Sequence, residues 1–302
     1  MRIQTFSIIT GSTACNAQCP FCVSKMTAPN GVQSGQPIIN WRNFDKACRL
    51  AQLSGVTTVM LTGKGEPTIF PSQISSYLEA LKKYNFPLVE LQTNGLLIRE
   101  RDSSGNLILE NALKMWHQLG LSMVAISVVH HYPEHNRKIY TPHRKEYIDL
   151  PATIKYLHEL GFSVRLSCVM AKGYVESPEA VENMINFARQ QGVEQLTFTP
   201  VNLPASAIDP DNHDAYDKHW VWASDNMLSS KQIKRIREEL DDMGVRLMEL
   251  SHGAIVYDVR GQNVCLSNCL VVKPDASELR NLIFFPDGHL RYHWQFSGAI
   301  LL

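Results

Sequence analysis

The sequence predicts an α/β fold, an open partial (β/α)6 barrel followed by a short C-terminal extension that contains a β-hairpin. Two observations carry that reading. Short apolar runs alternate with longer segments whose apolar residues recur at helical spacing, the signature of βα units and a parallel sheet with right-handed crossovers. Six such strands are too few to close an eight-stranded barrel. At 302 residues and 44% hydrophobic content, the chain also has enough apolar material for a sizeable core.

The elements follow in order. An apolar run at Ile8-Ile9 ends the first strand. Asn40 caps a helix through Trp41, Phe44, Ala47, Cys48 and Leu50 that stops at Gly55. Thr57 to Leu61 is a short buried strand, and Pro71 opens a helix with Ile74, Tyr77, Leu78 and Leu81 on one face. Pro87 to Leu91 is strand, Leu107 to Leu119 helix, and Met123 to Val129 strand. Ala152 to Leu160, Ser163 to Met170, Pro178 to Gln190 and Glu194 to Thr199 repeat the helix–strand alternation. Residues 203–228 read as an irregular connection rich in Pro, Asp and His. Ser229 or Ser230 caps a charged helix ending at Gly244. Two strand-like runs, 282–285 and 290–294, flank Pro286-Asp287-Gly288, a hairpin signal. The expected division is 1–205 for the barrel and 206–302 for the extension.

Lysine plus arginine equals aspartate plus glutamate at 29 each, so the basic excess of a nucleic-acid footprint is missing and no nucleic acid partner is expected. No apolar run reaches the roughly 18 residues that span a membrane, and the N-terminus lacks a signal-peptide pattern. A cytoplasmic location, with no membrane partner, is the expectation. Seven cysteines is an odd number for a disulfide framework. Cys15, Cys19 and Cys22 cluster, Cys265 and Cys269 form a pair, and Cys48 and Cys168 stand alone. Clustering of this kind favours metal over disulfide.

Cys15-Asn16-Ala17-Gln18-Cys19-Pro20-Phe21-Cys22 has the spacing C-x3-C-x2-C on a loop after the first strand. Thiolates take zinc, copper(I) or the iron of iron–sulfur clusters. A structural zinc needs four protein ligands and an electron-carrying [4Fe–4S] cluster usually takes four cysteines. Here three stand together, with no histidine before His117. Three thiolates leave one metal corner open for chemistry. The alternative is a zinc knuckle completed by Cys265 or Cys269.

This loop, with an aromatic before its last cysteine, resembles the radical S-adenosylmethionine (SAM) superfamily. Gly63-Lys64-Gly65-Glu66-Pro67 resembles the family's glycine–glutamate motif, Gln92-Thr93-Asn94-Gly95 its T-N-G turn, and Ala125-Ile126-Ser127-Val128 its fourth-strand segment. The likeness covers about residues 3–205. It implies a [4Fe–4S] cluster on Cys15, Cys19 and Cys22, with SAM on the fourth iron. Reductive cleavage of SAM then gives a 5′-deoxyadenosyl radical that takes hydrogen from an organic substrate. By the same resemblance, Phe21, Gly65, Glu66, Thr93, Asn94 and Ser127 contact the cofactor. Phe21 lies beside the adenine, Glu66 or a backbone carbonyl accepts from the SAM ammonium, and Ser127 meets its carboxylate or ribose. Lys64 occupies a position where the family is tolerant. An electron donor such as flavodoxin or ferredoxin is an implied partner.

Each of these residues also has a plainer reading. Gly63 to Pro67 can be a strand-to-helix turn, Asn94-Gly95 satisfies a turn unaided, and Phe21 can shield a cluster from water. Alternation puts one of Ser167 and Cys168 into the barrel. Cys168 there would be a hydrogen-atom donor, and elsewhere simple packing. His130-His131 and the basic run from Arg137 to Lys145 read as a solvated loop and helix start, with an anion-binding role as the alternative.

The tail resembles the twitch/SPASM extension that includes the GTP cyclase of molybdenum-cofactor synthesis, where a second iron–sulfur cluster is held. It departs in three ways. Cys265 and Cys269 are spaced C-x3-C, not C-x2-C; His293 stands where a third cysteine is expected; and residues 273–279 are extra. Cys265 and Cys269 are the candidate ligands of a second cluster, with reduced thiols as the alternative. The sequence opens directly on the first barrel strand, without a segment resembling a peptide-recognition domain. A nucleotide or other small molecule is therefore the expected substrate. A peptide-modifying enzyme, and a non-catalytic iron–sulfur or metal-binding protein, are the alternatives.

Overall fold

A computed structural model describes residues 2–35, 37–204, 218–250, 253–267 and 278–302. The predicted alternation is present. It runs β1 (Arg2–Ile9), α1 (Trp41–Leu53), β2 (Thr58–Thr62), α2 (Pro71–Leu81), β3 (Leu88–Thr93), α3 (Glu110–Gln118) and β4 (Met123–Val128). It continues with α4 (Pro133–Tyr140), α5 (Leu150–Glu159), β5 (Ser163–Met170), α6 (Pro178–Gln190) and β6 (Gln195–Pro200). β1 to β6 pair in sequence order, every pair parallel.

Local chemistry explains most boundaries. Asn40, Asp149 and Ser177 each accept from the backbone N–H three residues on, and proline occupies the first turn of α2, α4, α5 and α6. Ser229 and Gln232 form a capping box for α8 (Ser230–Met243). The helix predicted from Leu107 begins three residues later, because Leu107 pairs with Arg101 in an isolated antiparallel bridge.

Residues 218–226 differ from the irregular connection expected across 203–228, of which 205–217 lie outside the described residues. They form the helix α7 (Lys218–Asn226), with His219 and Ala223 buried. Its first turn carries no proline or acidic residue to mark it. Also missed were β7 (Val245–Glu249), β8 (Ile255–Val259) and β9 (Gln262–Leu266), an antiparallel ribbon. The predicted hairpin is formed by β10 (Glu278–Phe284) and β11 (Leu290–Arg291) across Pro286-Asp287-Gly288.

The C-terminal strands extend the same sheet at both margins. β9 pairs parallel with β6, and β10 pairs parallel with β1. The sheet reads β11-β10-β1-β2-β3-β4-β5-β6-β9-β8-β7, an open barrel wall with two edges. Val59, Leu61, Leu91, Val124, Ile126 and Leu166 bury one strand face against the helices, joined by Tyr77, Trp116 and Leu157. Each such side chain contributes about 1.5–3 kcal/mol relative to exposure. Cys48 and Cys168 are fully buried in this layer. Cys168 therefore lies outside the barrel lumen, and alternation turns Ser167 inward. No helix among the described residues is long and apolar enough to cross a membrane.

Candidate active site

The carboxyl ends of the parallel strands, where ligands of such sheets gather, surround a cavity of about 530 Å³. Cys15, Cys19 and Cys22 border it, as do Phe21, Gly65, Glu66, Thr93, Asn94 and Ser127. These nine residues thus meet at one place.

The cysteine loop is held by backbone contacts that explain the glycines opposite. Glu66 N donates to Ala14 O at 2.9 Å. A Cβ on Gly65 would lie 2.0 Å from Ala14 O and 2.8 Å from Ser12 O, so only glycine permits this approach. Gly11, at φ +76°, turns the chain into the loop, and its N–H donates to the buried Gln73 Oε1. Gln18 N donates to Tyr140 O at 2.9 Å on the far side.

Glu66 is a structural hub. Its Oε1 accepts from Thr68 N at 3.0 Å, Thr68 Oγ1 at 2.6 Å and Thr93 Oγ1 at 2.6 Å, while Oε2 accepts from Asn94 N at 2.9 Å. Burial pushes its carboxyl up, and these donors oppose that shift. Asn94 Oδ1 accepts from Leu96 N at 2.9 Å, and its Nδ2 donates to Asn16 Oδ1 at 2.7 Å. The glycine–glutamate turn, the T-N-G turn and the cysteine loop therefore form one connected network.

The Cys15 and Cys19 thiols are both pushed up, first by burial and then by the negative charges around them, including Cys22. Three sulfurs crowded in this way are unfavourable as bare thiolates and suited to a cationic metal group. Among the described residues, no three His, Cys, Asp or Glu side chains converge tightly enough to hold one metal ion. A cubane cluster takes each thiolate on a different iron. The donor set fits the cluster. Phe21 sits beside the cavity, its ring 6.2 Å from Tyr140 and 5.7 Å from Trp222 on α7.

Sequence reasoning missed Thr199, Val201 and Asn202, which line the cavity at the carboxyl end of β6 and just beyond it. Their signal was positional, since they close a sixth strand at the rim where the other motifs end. Lys64 is buried and also borders the cavity. Its Nζ donates to Thr27 Oγ1 and Ala28 O, each at 2.9 Å, and lies 4.5 Å from the Trp294 ring centroid. Burial brings its ammonium down to about 8. His130 is buried, Arg137 in the last turn of α4 pairs with Glu134, and Arg144 beyond that helix pairs with Glu100. Cys265 stands on β9 opposite Thr197, and Cys269 lies outside the described residues.

The radical SAM superfamily model matches residues 9–188. The chain belongs to this superfamily. Radical SAM proteins are enzymes that use a [4Fe–4S] cluster and SAM. The matched span ends in α6, so it carries no mark of the cyclase subgroup. No curated protein sequence matches the chain. Among solved structures, SuiB of Streptococcus suis bound to SAM has 14% identity and a TM-score of 0.63, over 99% of this chain and 62% of that one. SuiB bound to its precursor peptide SuiA has 15% identity and a TM-score of 0.55, over 99% and 61%. A radical SAM methyltransferase from Sphaerobacter thermophilus has 16% identity and a TM-score of 0.55, over 95% and 70%. At these identities the likeness is of fold, and this radical SAM chain spans about three-fifths of the SuiB length.

Proposed function

We propose that Cys15, Cys19 and Cys22 hold the [4Fe–4S] cluster of a radical SAM enzyme and that SAM occupies the cavity beside them. The observation that carries this is the convergence of three thiols, Phe21, Gly65, Glu66, Thr93, Asn94 and Ser127 on one 530 Å³ cavity. When bound, the cluster and SAM supply reductive cleavage of SAM and hydrogen abstraction from an organic substrate.

The chain's own residues bind and orient. Phe21, backed by Trp222 and Tyr140, gives an apolar wall suited to an adenine ring. Ser127 offers a hydroxyl at the rim, suited to the SAM carboxylate or ribose. Glu66, Thr93 and Asn94 act chiefly by fixing the cysteine loop, since their polar atoms are bonded to one another and to Asn16. Gly65 lets that loop approach the strand.

The substrate is a polar small molecule that enters the lumen under the cavity, and a flavodoxin or ferredoxin is the electron donor. A peptide substrate is the second reading, favoured by the fold likeness to SuiB, a protein solved with its precursor peptide. Anaerobic reconstitution with iron and sulfide, followed by SAM and dithionite, tests the main reading. Release of 5′-deoxyadenosine is expected from wild type, and loss of it from Cys15→Ala, Cys19→Ala and Cys22→Ala. Undiminished release from all three variants overturns it.

A further inference from the structure

Two lysines border the cavity. Lys25 is exposed, and Lys64 is buried. The partners of the Lys64 ammonium are all neutral. Two of its three donors go to Thr27 Oγ1 and Ala28 O, and the Trp294 ring covers it at 4.5 Å. Trp294 packs in turn on Phe285, with ring centroids 6.2 Å apart. At the far end of that aromatic pair the buried Arg291 lies over Phe285 at 5.0 Å, and it has Asp287 as a carboxylate partner at 3.6 Å. Lys64 has the ring without the carboxylate. A buried cation is costly unless an anion accompanies it.

The hydrogen bonds lead from Lys64 to the third cysteine. Thr27 Oγ1, which receives the ammonium, donates to Val23 O at 2.8 Å. Val23 begins the short turn that Cys22 opens, and Cys22 O accepts from Lys25 N at 3.0 Å. The charge is therefore tied to the segment that carries the Cys22 sulfur. With two donors committed and an indole over the ammonium, Lys64 acts on an occupant of the cavity by charge rather than by a bond.

We propose that Lys64 is the counter-charge of the cluster on Cys15, Cys19 and Cys22, and that its field makes the cluster easier to reduce. This rests on the reading above that those cysteines hold the cluster. A [4Fe–4S] core on three thiolates is an anion, and an added electron makes it more negative; net charge is one of the factors that set such potentials. A nearby cation stabilises the reduced form more than the oxidised one, and burial weakens the screening of that cation by water. The C-terminal extension takes part, because Trp294 covers the ammonium and its carbonyl accepts from Asn30 Nδ2 at 3.1 Å.

The test is an anaerobic redox titration of the full reconstituted chain without SAM, read by EPR of the reduced cluster, with iron and sulfide assayed in every sample. Lys64→Gln keeps amide donors for Thr27 and Ala28 but loses the charge. At a poise equal to the wild-type midpoint, its ratio of reduced to oxidised cluster is expected to fall about tenfold or more, the effect of one poorly screened unit charge. Lys64→Arg keeps the charge, and Thr27→Val keeps it while losing a hydrogen bond; both are expected to stay close to the wild-type ratio. Circular dichroism checks each fold, and Lys64→Met replaces Lys64→Gln if the latter is unfolded. An unchanged ratio in the neutral variant overturns the proposal. So does an equal fall in Lys64→Arg or Thr27→Val, which would make Lys64 a brace. Cluster uptake lost in the neutral variant but kept in Lys64→Arg supports it, and uptake lost in both overturns it. A wild-type chain that takes up no cluster sinks the reading of the cysteines themselves, so the two failures are distinct.

Discussion

Asn94 Nδ2 donates to Asn16 Oδ1 at 2.7 Å, joining the turn after β3 to the middle of the cysteine loop. Asn94 simultaneously receives Leu96 N on its Oδ1 and gives its own N–H to Glu66. One side chain thus sets its own turn and steadies the metal-binding loop. Asn94→Ala is expected to cost about 1 kcal/mol of stability and to speed iron loss to a chelator. The check is iron release from reconstituted protein, with thermal melting alongside. Release at the wild-type rate would show that the loop holds itself.

Gly65→Ala forces a different kind of damage. The new Cβ would collide with the backbone of Ala14, which has no flexible end to yield. A loss of about 1–3 kcal/mol is expected from such overpacking, together with reduced iron content after reconstitution. Denaturant titration and iron assay measure both. Gly55→Ala is a useful contrast, since open space surrounds its Cβ position and only its positive φ is strained.

Trp222→Ala tests the support that α7 gives to Phe21. The two ring centroids are 5.7 Å apart, and such pairs contribute about 0.5–1.5 kcal/mol beyond area burial. Weakening of SAM binding by about threefold to tenfold is expected if Phe21 borders the adenine. Equilibrium binding of SAM to reconstituted protein reads this directly. Unchanged affinity would separate Phe21 from the SAM site.

The pH dependence of stability should carry a mark of His130. Burial, then the neighbouring His131 and His135, bring its imidazole down to about 4. Between that value and the ordinary histidine value near 6.5, the unfolded chain binds a proton that the folded chain refuses. Stability therefore rises with pH through this window and is lost as pH falls through it. His130→Gln is expected to flatten the slope of unfolding free energy against pH between about 4 and 6.5. An unaltered slope would assign the dependence to other groups.

Much of this was legible in the chain. Asn40 and Ser229 mark helix starts because their caps are local chemistry, and β5 and α6 lie where periodicity put them. The cysteine loop, Gly65-Glu66, Thr93-Asn94 and Ser127 do meet at one cavity. What periodicity could not reach was partnership. β7 is exposed along its whole length, so no apolar alternation announced it, and β9 finds β6 only through a distant parallel register. Nor could residue type alone tell that Glu66 and Thr93 bond each other. Cys168 shows the same limit, because a shift of one place along β5 decides between lumen and core.

The last quarter of the polypeptide flanks its first two hundred residues on both sides, with β10 against β1 and β9 against β6. Thr5 bonds Asn281 across a separation of 276 positions. During synthesis, then, both margins of the nascent wall stay raw until residues 262–284 have left the ribosome. Such distant closure is slow, and metal loading before that moment would meet a half-built vessel. Closing the wall waits for β9 and β10, and products that stop before them are expected to clump through their bare strand borders rather than function at reduced strength.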